Sequence, residues 1–146
     1  MRRGVIGAIA ACLLLVLLAV PAQAKQVRYH GQTTQGQKVL LITDPQGVVK
    51  FFGIKYTADC NYDTYHDQQG FIRPFRKQNR HGFKDRFNYP VKFDNGVKAK
   101  RRARLEGTRV SADRFKGKFS FKGKFFENGK KYATCRAQGI RWTASR

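Results

Sequence analysis

Residues 115–125 constrain the fold of this chain more than any other segment. Their odd-numbered positions hold phenylalanine or glycine, and their even-numbered positions hold lysine or serine. Successive side chains of a β-strand point to opposite faces of the sheet, whereas a helix would scatter the same residues around its axis. The segment is therefore predicted to be a strand with buried phenylalanines and outward-facing lysines.

Turn sequences place further strands on both sides of this segment. Asp-Pro-Gln-Gly at 44–47, Asp-Asn-Gly at 94–96 and Asn-Gly at 128–129 are typical of β-hairpin turns. The strands predicted between them cover 38–43, 48–54, 91–93, 97–105, 115–125, 132–135 and 140–143. We therefore expect an all-β fold, a single antiparallel sandwich or small barrel of about 7–9 strands.

Residues 61–88 interrupt this pattern. They are polar and lack clean alternation, so they are predicted to form a long loop. Phe71, Phe75 and Phe83 lie in this stretch, outside the clear strands. These three phenylalanines are therefore candidates for exposed contacts, in contrast to the phenylalanines of 115–125.

Residues 1–24 have the composition of a helical, cleavable signal peptide. Two arginines follow the first methionine, residues 4–20 carry no charge, and Ala-Gln-Ala at 22–24 matches the small-x-small pattern that signal peptidase cleaves. An uncleaved membrane anchor and a lipidated Cys12 are the alternatives. We expect one basic β-domain over 25–146, located outside the cytoplasm and either secreted or associated with the cell surface.

Cys60 and Cys135 are the cysteines that follow the predicted leader. In an exported chain, two cysteines are most simply explained as one disulfide, with two free thiols as the alternative. A disulfide closing a loop of about 75 residues contributes on the order of 4 kcal/mol in the chain-entropy description.

The chain is strongly basic. It has 30 lysines and arginines against 9 aspartates and glutamates, a formal net charge of +21, and 12 phenylalanines that exclude a disordered basic tail. Cations are concentrated in 71–84 and 98–104, and with the lysines of 115–125 they would form one cationic sheet face if these strands are neighbours. The candidate polyanion-binding residues are Arg73, Arg76, Lys77, Arg80, Lys98, Lys100, Arg101, Arg102 and Arg104.

The two ends of the 25–146 segment carry short motifs. Residues 31–36 read Gly-x-Thr-x-x-Gly, Cys60 follows the first predicted hairpin, and residues 135–144 begin with cysteine and end in Gly-x-x-Trp-Thr-Ala. These features resemble a group of small secreted bacterial β-sandwich domains of uncharacterised function. The resemblance implies a sandwich with a disulfide between the two cysteines and implies no activity. The 71–104 region departs from that group in being far more basic.

Asp59, Asp63, His66 and Asp67 form the one acidic cluster of the sequence. Carboxylates and an imidazole are ligands for divalent cations, but this spacing matches neither an EF-hand nor a zinc pattern. A polar loop whose acids offset nearby basic charge is the simpler interpretation. We therefore predict neither a metal site nor a cofactor.

Catalytic motifs are also missing from the sequence. The serines at 111, 120 and 145 lie in no Gly-x-Ser-x-Gly setting, and no histidine can be paired with them from the sequence. We therefore expect a non-enzymatic, monomeric domain that binds an anionic polymer or surface through its cations. Wall polymer, anionic lipid headgroups and extracellular nucleic acid are the candidate partners. The alternatives are an enzyme or enzyme inhibitor using residues 61–88, and a structural domain without a specific ligand.

Overall fold

The computed structural model of the chain describes residues 25–72 and 75–146. The predicted leader and Arg73 lie outside these residues. All regular elements in the described part are strands: β1 (Val27–Thr33), β2 (Lys38–Thr43), β3 (Val49–Cys60), β4 (Thr64–Ile72), β5 (Lys77–Asn79), β6 (Gly82–Lys92), β7 (Lys98–Ser111), β8 (Arg114–Glu127) and β9 (Lys130–Ser145). Among the described residues there is no helix long and apolar enough to cross a membrane.

The nine strands form one antiparallel sheet in the order β4-β3-β2-β1-β9-β8-β7-β6-β5. The sheet folds over so that its first four strands pack against its last five. Phe52 of β3 contacts Phe83 of β6, with ring centroids 5.5 Å apart, and Tyr56 of β3 contacts Phe119 of β8 at 4.9 Å. The expected all-β, sandwich-like architecture is confirmed.

The alternation at 115–125 is confirmed residue by residue. Phe115, Phe119, Phe121 and Phe125 are buried in the space between the two halves of the sheet, while the lysines of β8 point away from it. The side chains of all four phenylalanines leave water on folding, which makes this strand a major source of hydrophobic stabilisation. The hairpin turns at 44–47, 94–96 and 128–129 also lie where the sequence places them.

The β1–β2 hairpin is wedged between β3 and β9. These two strands pair directly at Asp59–Arg136 and Cys60–Cys135, and then diverge so that β1 and β2 lie between them. At the hairpin tip, the side-chain amide of Gln35 pairs with the backbone of Thr57, accepting a hydrogen bond from its N–H (3.0 Å) and donating one to its C=O (2.8 Å). This side chain therefore continues the ladder of β3 where the hairpin turns away.

The predicted disulfide joins Cys60 to Cys135 at the point where β3 and β9 meet. The bond links residues 75 positions apart in the chain. It covalently holds the end of β3, in one half of the sheet, to β9 in the other half. A disulfide of this kind is compatible with a location outside the cytoplasm.

The prediction of a long loop at 61–88 is wrong. This stretch contains β4, β5 and most of β6, and Phe71, Phe75 and Phe83 are 4–6% exposed instead of forming exposed contacts. The alternation of β4 is hidden in the sequence because some of its inward-pointing residues, Asp67 and Gln69, are polar. The sequence signal for a half-buried strand depends on apolar inward positions, and here it was absent.

The last two predicted strands, 132–135 and 140–143, are one continuous strand, β9. A bulge interrupts its pairing with β8, since Phe121 pairs with Ala137 but Phe119 pairs with Ile140. Gln138 and Gly139 therefore both lie opposite Ser120. Gly139 has a φ of 62°, in the left-handed region that glycine adopts without strain.

Candidate polyanion-binding face

The outer surface of β6–β9 carries cations in register from strand to strand. Arg102 of β7 pairs with Lys122 of β8, and Lys122 pairs with Arg136 of β9. Lys100 and Lys124 form the next pair along β7 and β8, and Arg86 of β6 lies opposite Arg104.

We call this surface the cationic face. It consists of the outward-pointing residues Lys84, Arg86, Lys92, Lys98, Lys100, Arg102, Arg104, Lys116, Lys118, Lys122, Lys124, Lys131, Arg136 and Arg141.

Few acids offset this charge. Among the described residues that point outward from β6–β9, Glu106 is the acid, and its carboxylate lies 3.4 Å from the ammonium of Lys84. Like charges directly opposite each other destabilise a sheet. Their repulsion is visible at Lys122, whose pKa is lowered chiefly by the charge of Arg136, with smaller contributions from Lys124 and others.

The sequence-predicted cations do not all lie together in the structure. Lys98, Lys100, Arg102 and Arg104 belong to the cationic face. Arg76 and Lys77 border it, in a concavity that they share with Lys84, Arg86 and Arg104. Arg80 lies apart in the β5–β6 turn, with its Nε 3.1 Å from the ring of His81. Arg73 lies outside the described residues.

Arg101 requires a correction, because it does not lie on the cationic face. Its side chain is 9% exposed and points between the two halves of the sheet, 3.2 Å from the carboxylate of Asp67. It also donates a hydrogen bond to the hydroxyl of Tyr65 and lies against the ring of Phe93. The alternation of the strand explains this placement, because Arg101 lies on the same side of β7 as the buried Ala99 and Ala103. A cation with these partners is not available to a polyanion.

Arg101 belongs to a polar network that closes the seam between β4 and β6. Tyr56 donates a hydrogen bond to Asp67 (3.0 Å), Gln69 donates to the same carboxylate (3.0 Å), and Tyr89 of β6 donates to Gln69. Two of these contacts, Tyr89–Gln69 and Arg101–Asp67, join β4 to strands with which it does not pair through the backbone. Most polar atoms of this network are satisfied by one another, although the buried Arg101 Nε has no hydrogen-bond partner among the described residues. A connected polar network specifies one packing.

The same network raises the pKa of its tyrosines. Burial is the main cause for Tyr56, and the nearby charge of Asp67 adds to it. Burial also raises the pKa of Tyr65 to about 12 and raises that of Tyr89. All three phenols therefore stay protonated over the whole physiological range.

The acidic cluster seen in the sequence is dispersed in the structure. Asp67 points inward to Arg101, whereas His66 points outward and shares a hydrogen bond with Thr57 (3.0 Å). Asp59 and Asp63 are exposed at the end of the β3–β4 hairpin. Within residues 25–72 and 75–146, no group of three or more histidines, cysteines or acids is arranged to hold a metal ion.

Sequence reasoning missed the contributions of β6 and β9 to the cationic face. The sequence does not single out Arg86 because it lies within the loop predicted at 61–88, although Phe87, Tyr89 and Val91 occupy alternate positions of β6. The sequence does not single out Arg136 and Arg141 because the bulge at Gly139 breaks the alternation of β9. The signal was present in β6 and was obscured in β9.

Comparisons with known proteins leave the geometry as the basis for any functional conclusion. No protein-family model matches the chain, and neither the curated proteins nor the solved structures include a significant match.

Proposed function

We propose that this chain is an exported, non-enzymatic domain that binds an anionic polymer of the cell envelope or its surroundings through the cationic face. The observation that carries the proposal is the row Arg102–Lys122–Arg136, in which three cations lie side by side on neighbouring strands. Folding brings these charges together at an energetic cost. An anionic partner would relieve that cost. Solubility alone requires a net charge but does not require cations to lie side by side.

Export supports the choice of partner. The predicted signal peptide at 1–24 directs the chain out of the cytoplasm, and the disulfide is compatible with that destination. Outside the cytoplasm, phosphate-rich wall polymers, anionic headgroups and released nucleic acid are the abundant polyanions. Lysine and arginine clusters bind such partners largely by releasing condensed counterions.

The test is a titration of the protein across a salt series against three probes: poly(glycerol phosphate), vesicles containing phosphatidylglycerol, and mixed-sequence DNA. Counterion release predicts that log affinity falls linearly with log salt, with about 0.7–0.9 of slope for each phosphate contacted. Replacing Arg102, Lys122 and Arg136 with glutamine should reduce the slope by about 2–3 if all three contact phosphates.

A matched control carries the same loss of charge on the other half of the sheet. Arg28, Lys38 and Lys55 are exposed on β1, β2 and β3, away from the cationic face. Their replacement with glutamine should leave the slope nearly unchanged. Equal effects of the two triple variants would show that only net charge matters, and would support a structural domain without a specific ligand.

A further inference from the structure

The cationic face contains a hollow where one lysine is missing from the β8 row. Ser120 occupies the middle of the outward series Lys116, Lys118, Ser120, Lys122, Lys124. Its strand partner on one side is Arg104 of β7. On the other side the β9 bulge presents Gln138 and Gly139, of which Gly139 has no side chain. Short residues at these two positions leave a space enclosed by long cations.

The hydrogen bonding at this hollow leaves a donor free. The backbone N–H of Gly139 donates to Ser120 Oγ at 3.1 Å, so the hydroxyl is oriented as an acceptor toward the bulge. A serine hydroxyl carries its own proton as well, and the described residues provide no acceptor for it. That proton is available to an anion entering the hollow.

Three concavities run together across the face through shared residues. The first, of about 410 Å³, and the second, of about 600 Å³, both include Arg104, Ser120 and Gly139. The carboxylates of Asp85 and Glu106 also line the first, whereas the described residues that line the second include no acid, so an anion is expected on the side of the second. The second shares Arg102 and Lys122 with the third, also of about 600 Å³. The hollow over Ser120 therefore lies within a continuous track rather than on a flat surface.

We propose that this hollow is a binding site for one phosphoryl group of a linear phosphodiester polymer, a proposal that rests on the function proposed above. Ser120 Oγ–H and the Arg104 guanidinium donate hydrogen bonds to the phosphoryl oxygens, and Lys118 and Lys122 flank it. Charge-assisted hydrogen bonds of this kind are shorter and stronger than neutral ones. A continuous track suits an extended chain better than a bilayer surface.

The track recognises the polymer backbone rather than bases. Phe126 is the aromatic residue that points outward from β6–β9 in the described chain, and the ammonium of Lys100 lies over its ring at 5.8 Å. Base stacking needs a free aromatic surface. We therefore expect poly(glycerol phosphate), which has no bases, to bind at least as tightly per phosphate as DNA.

The deciding variant is Ser120→Lys, because site binding and general electrostatics predict opposite signs. A lysine adds a positive charge and should tighten binding if only charge matters, but it fills the hollow and should weaken binding at least several-fold if the site exists. Thr108→Lys is the matched control, since Thr108 is exposed on the same face of β7 but outside the hollow. We expect it to bind poly(glycerol phosphate) as tightly as the unmodified protein or more tightly.

Ser120→Ala provides an independent measurement that does not depend on tolerance of a large side chain. Loss of one hydrogen bond to a charged group should weaken binding about tenfold while the hollow stays open. With inorganic phosphate at constant ionic strength, the amide resonance of Gly139 should shift saturably, and Ser120→Ala should reduce that shift.

Each other outcome has a defined meaning. Tighter binding by Ser120→Lys, or unchanged binding by Ser120→Ala, overturns the phosphoryl site and leaves the proposed function intact. A clear preference for phosphatidylglycerol vesicles over poly(glycerol phosphate) overturns the linear polymer as occupant. Failure of the unmodified protein to bind any of the three probes at about 0.1 M salt, where the screening length is about 10 Å, overturns both proposals.

Discussion

Arg101 donates a hydrogen bond to Asp67 across the seam of the folded sheet, although its neighbour Arg102 belongs to the cationic face. Two adjacent arginines of one strand thus have opposite surroundings. One holds β7 to β4 inside the protein, and the other lies in a row of like charges outside. The pair separates structural cations from candidate binding cations within a single dipeptide.

We expect Arg101→Gln to change the stability of the protein and Arg102→Gln to change its polyanion binding. Arg101→Gln leaves the carboxylate of Asp67 without its ion partner in a nearly buried position, which should cost about 3 kcal/mol of unfolding free energy. Arg102→Gln should leave stability unchanged or slightly higher, and should reduce the salt slope of polyanion binding by about 0.7–0.9. Urea unfolding and the salt-series titration measure the two effects, and a loss of stability confined to Arg102→Gln would contradict the assignment.

High pH should destabilise the protein through the tyrosines of the seam. The pKa of Tyr65 is raised to about 12, and that of Tyr56 is also raised, so the folded state keeps protons that the unfolded state loses near pH 10. The stabilisation from these phenols is therefore complete below pH 10 and is lost as the pH rises toward 12.

The measurement is urea unfolding at pH 9, 10 and 11, comparing the parent with Tyr65→Phe. The variant should show a shallower loss of stability with pH, because it has one fewer titrating phenol in the network. Lysines titrate in the same range, but they do so in both proteins, so the difference isolates the tyrosine. Identical pH profiles would mean that Tyr65 titrates equally in the folded and unfolded states.

The two faces of β8 should respond oppositely to a negative charge. Phe119→Asp places a carboxylate among Tyr56 and Phe71, where burial of an unpaired charge is expected to prevent stable folding. Lys122→Asp places the same carboxylate between Arg102 and Arg136, so we expect an unchanged or higher melting temperature. Circular dichroism melting distinguishes the two, and destabilisation by Lys122→Asp would argue that repulsion along this row is already neutralised.

Removal of the disulfide should weaken the fold substantially. Replacing Cys60 and Cys135 together with alanine should cost about 2–5 kcal/mol, since a bond across 75 residues restricts the unfolded chain strongly. Peptide mapping without reductant on protein purified from its native host should recover the Cys60–Cys135 linkage. Equal denaturation midpoints for the double variant and the parent would contradict a stabilising role.

The strength of the sequence pattern decided which elements could be predicted. The alternation of β8 was strong enough to give its buried and outward faces, and hairpin turns gave most of its neighbours. β4 could not be found in this way because Asp67 and Gln69 occupy inward positions, where an apolar residue normally provides the signal.

Which cations lie beside one another on the cationic face depends on how the strands pair, and strand pairing is difficult to derive from the sequence. That Lys122 lies between Arg102 and Arg136 follows from the pairing of three strands and from the placement of the β9 bulge. The inward side chain of Arg101, in contrast, could be predicted from the sequence, because Arg101 alternates in step with Ala99 and Ala103 along β7. The prediction that Arg101 binds a polyanion rests on its charge, whereas its position on β7 determines where the side chain points.

The wedged β1–β2 hairpin has a consequence for the order in which the chain can fold. β1, β3 and β8 all pair with β9, and β9 is the last of the described strands to be synthesised. Until β9 emerges, the β1–β2 hairpin lacks one of its two neighbouring strands, and Cys60 of β3 lacks its disulfide partner. One edge of β8 is also unpaired. Closure of the sheet is therefore the final event for a chain that emerges from its N-terminal end, whether from the ribosome or from a translocation channel. Until β9 has emerged, the two halves of the sheet lack the strand that joins β1 to β8.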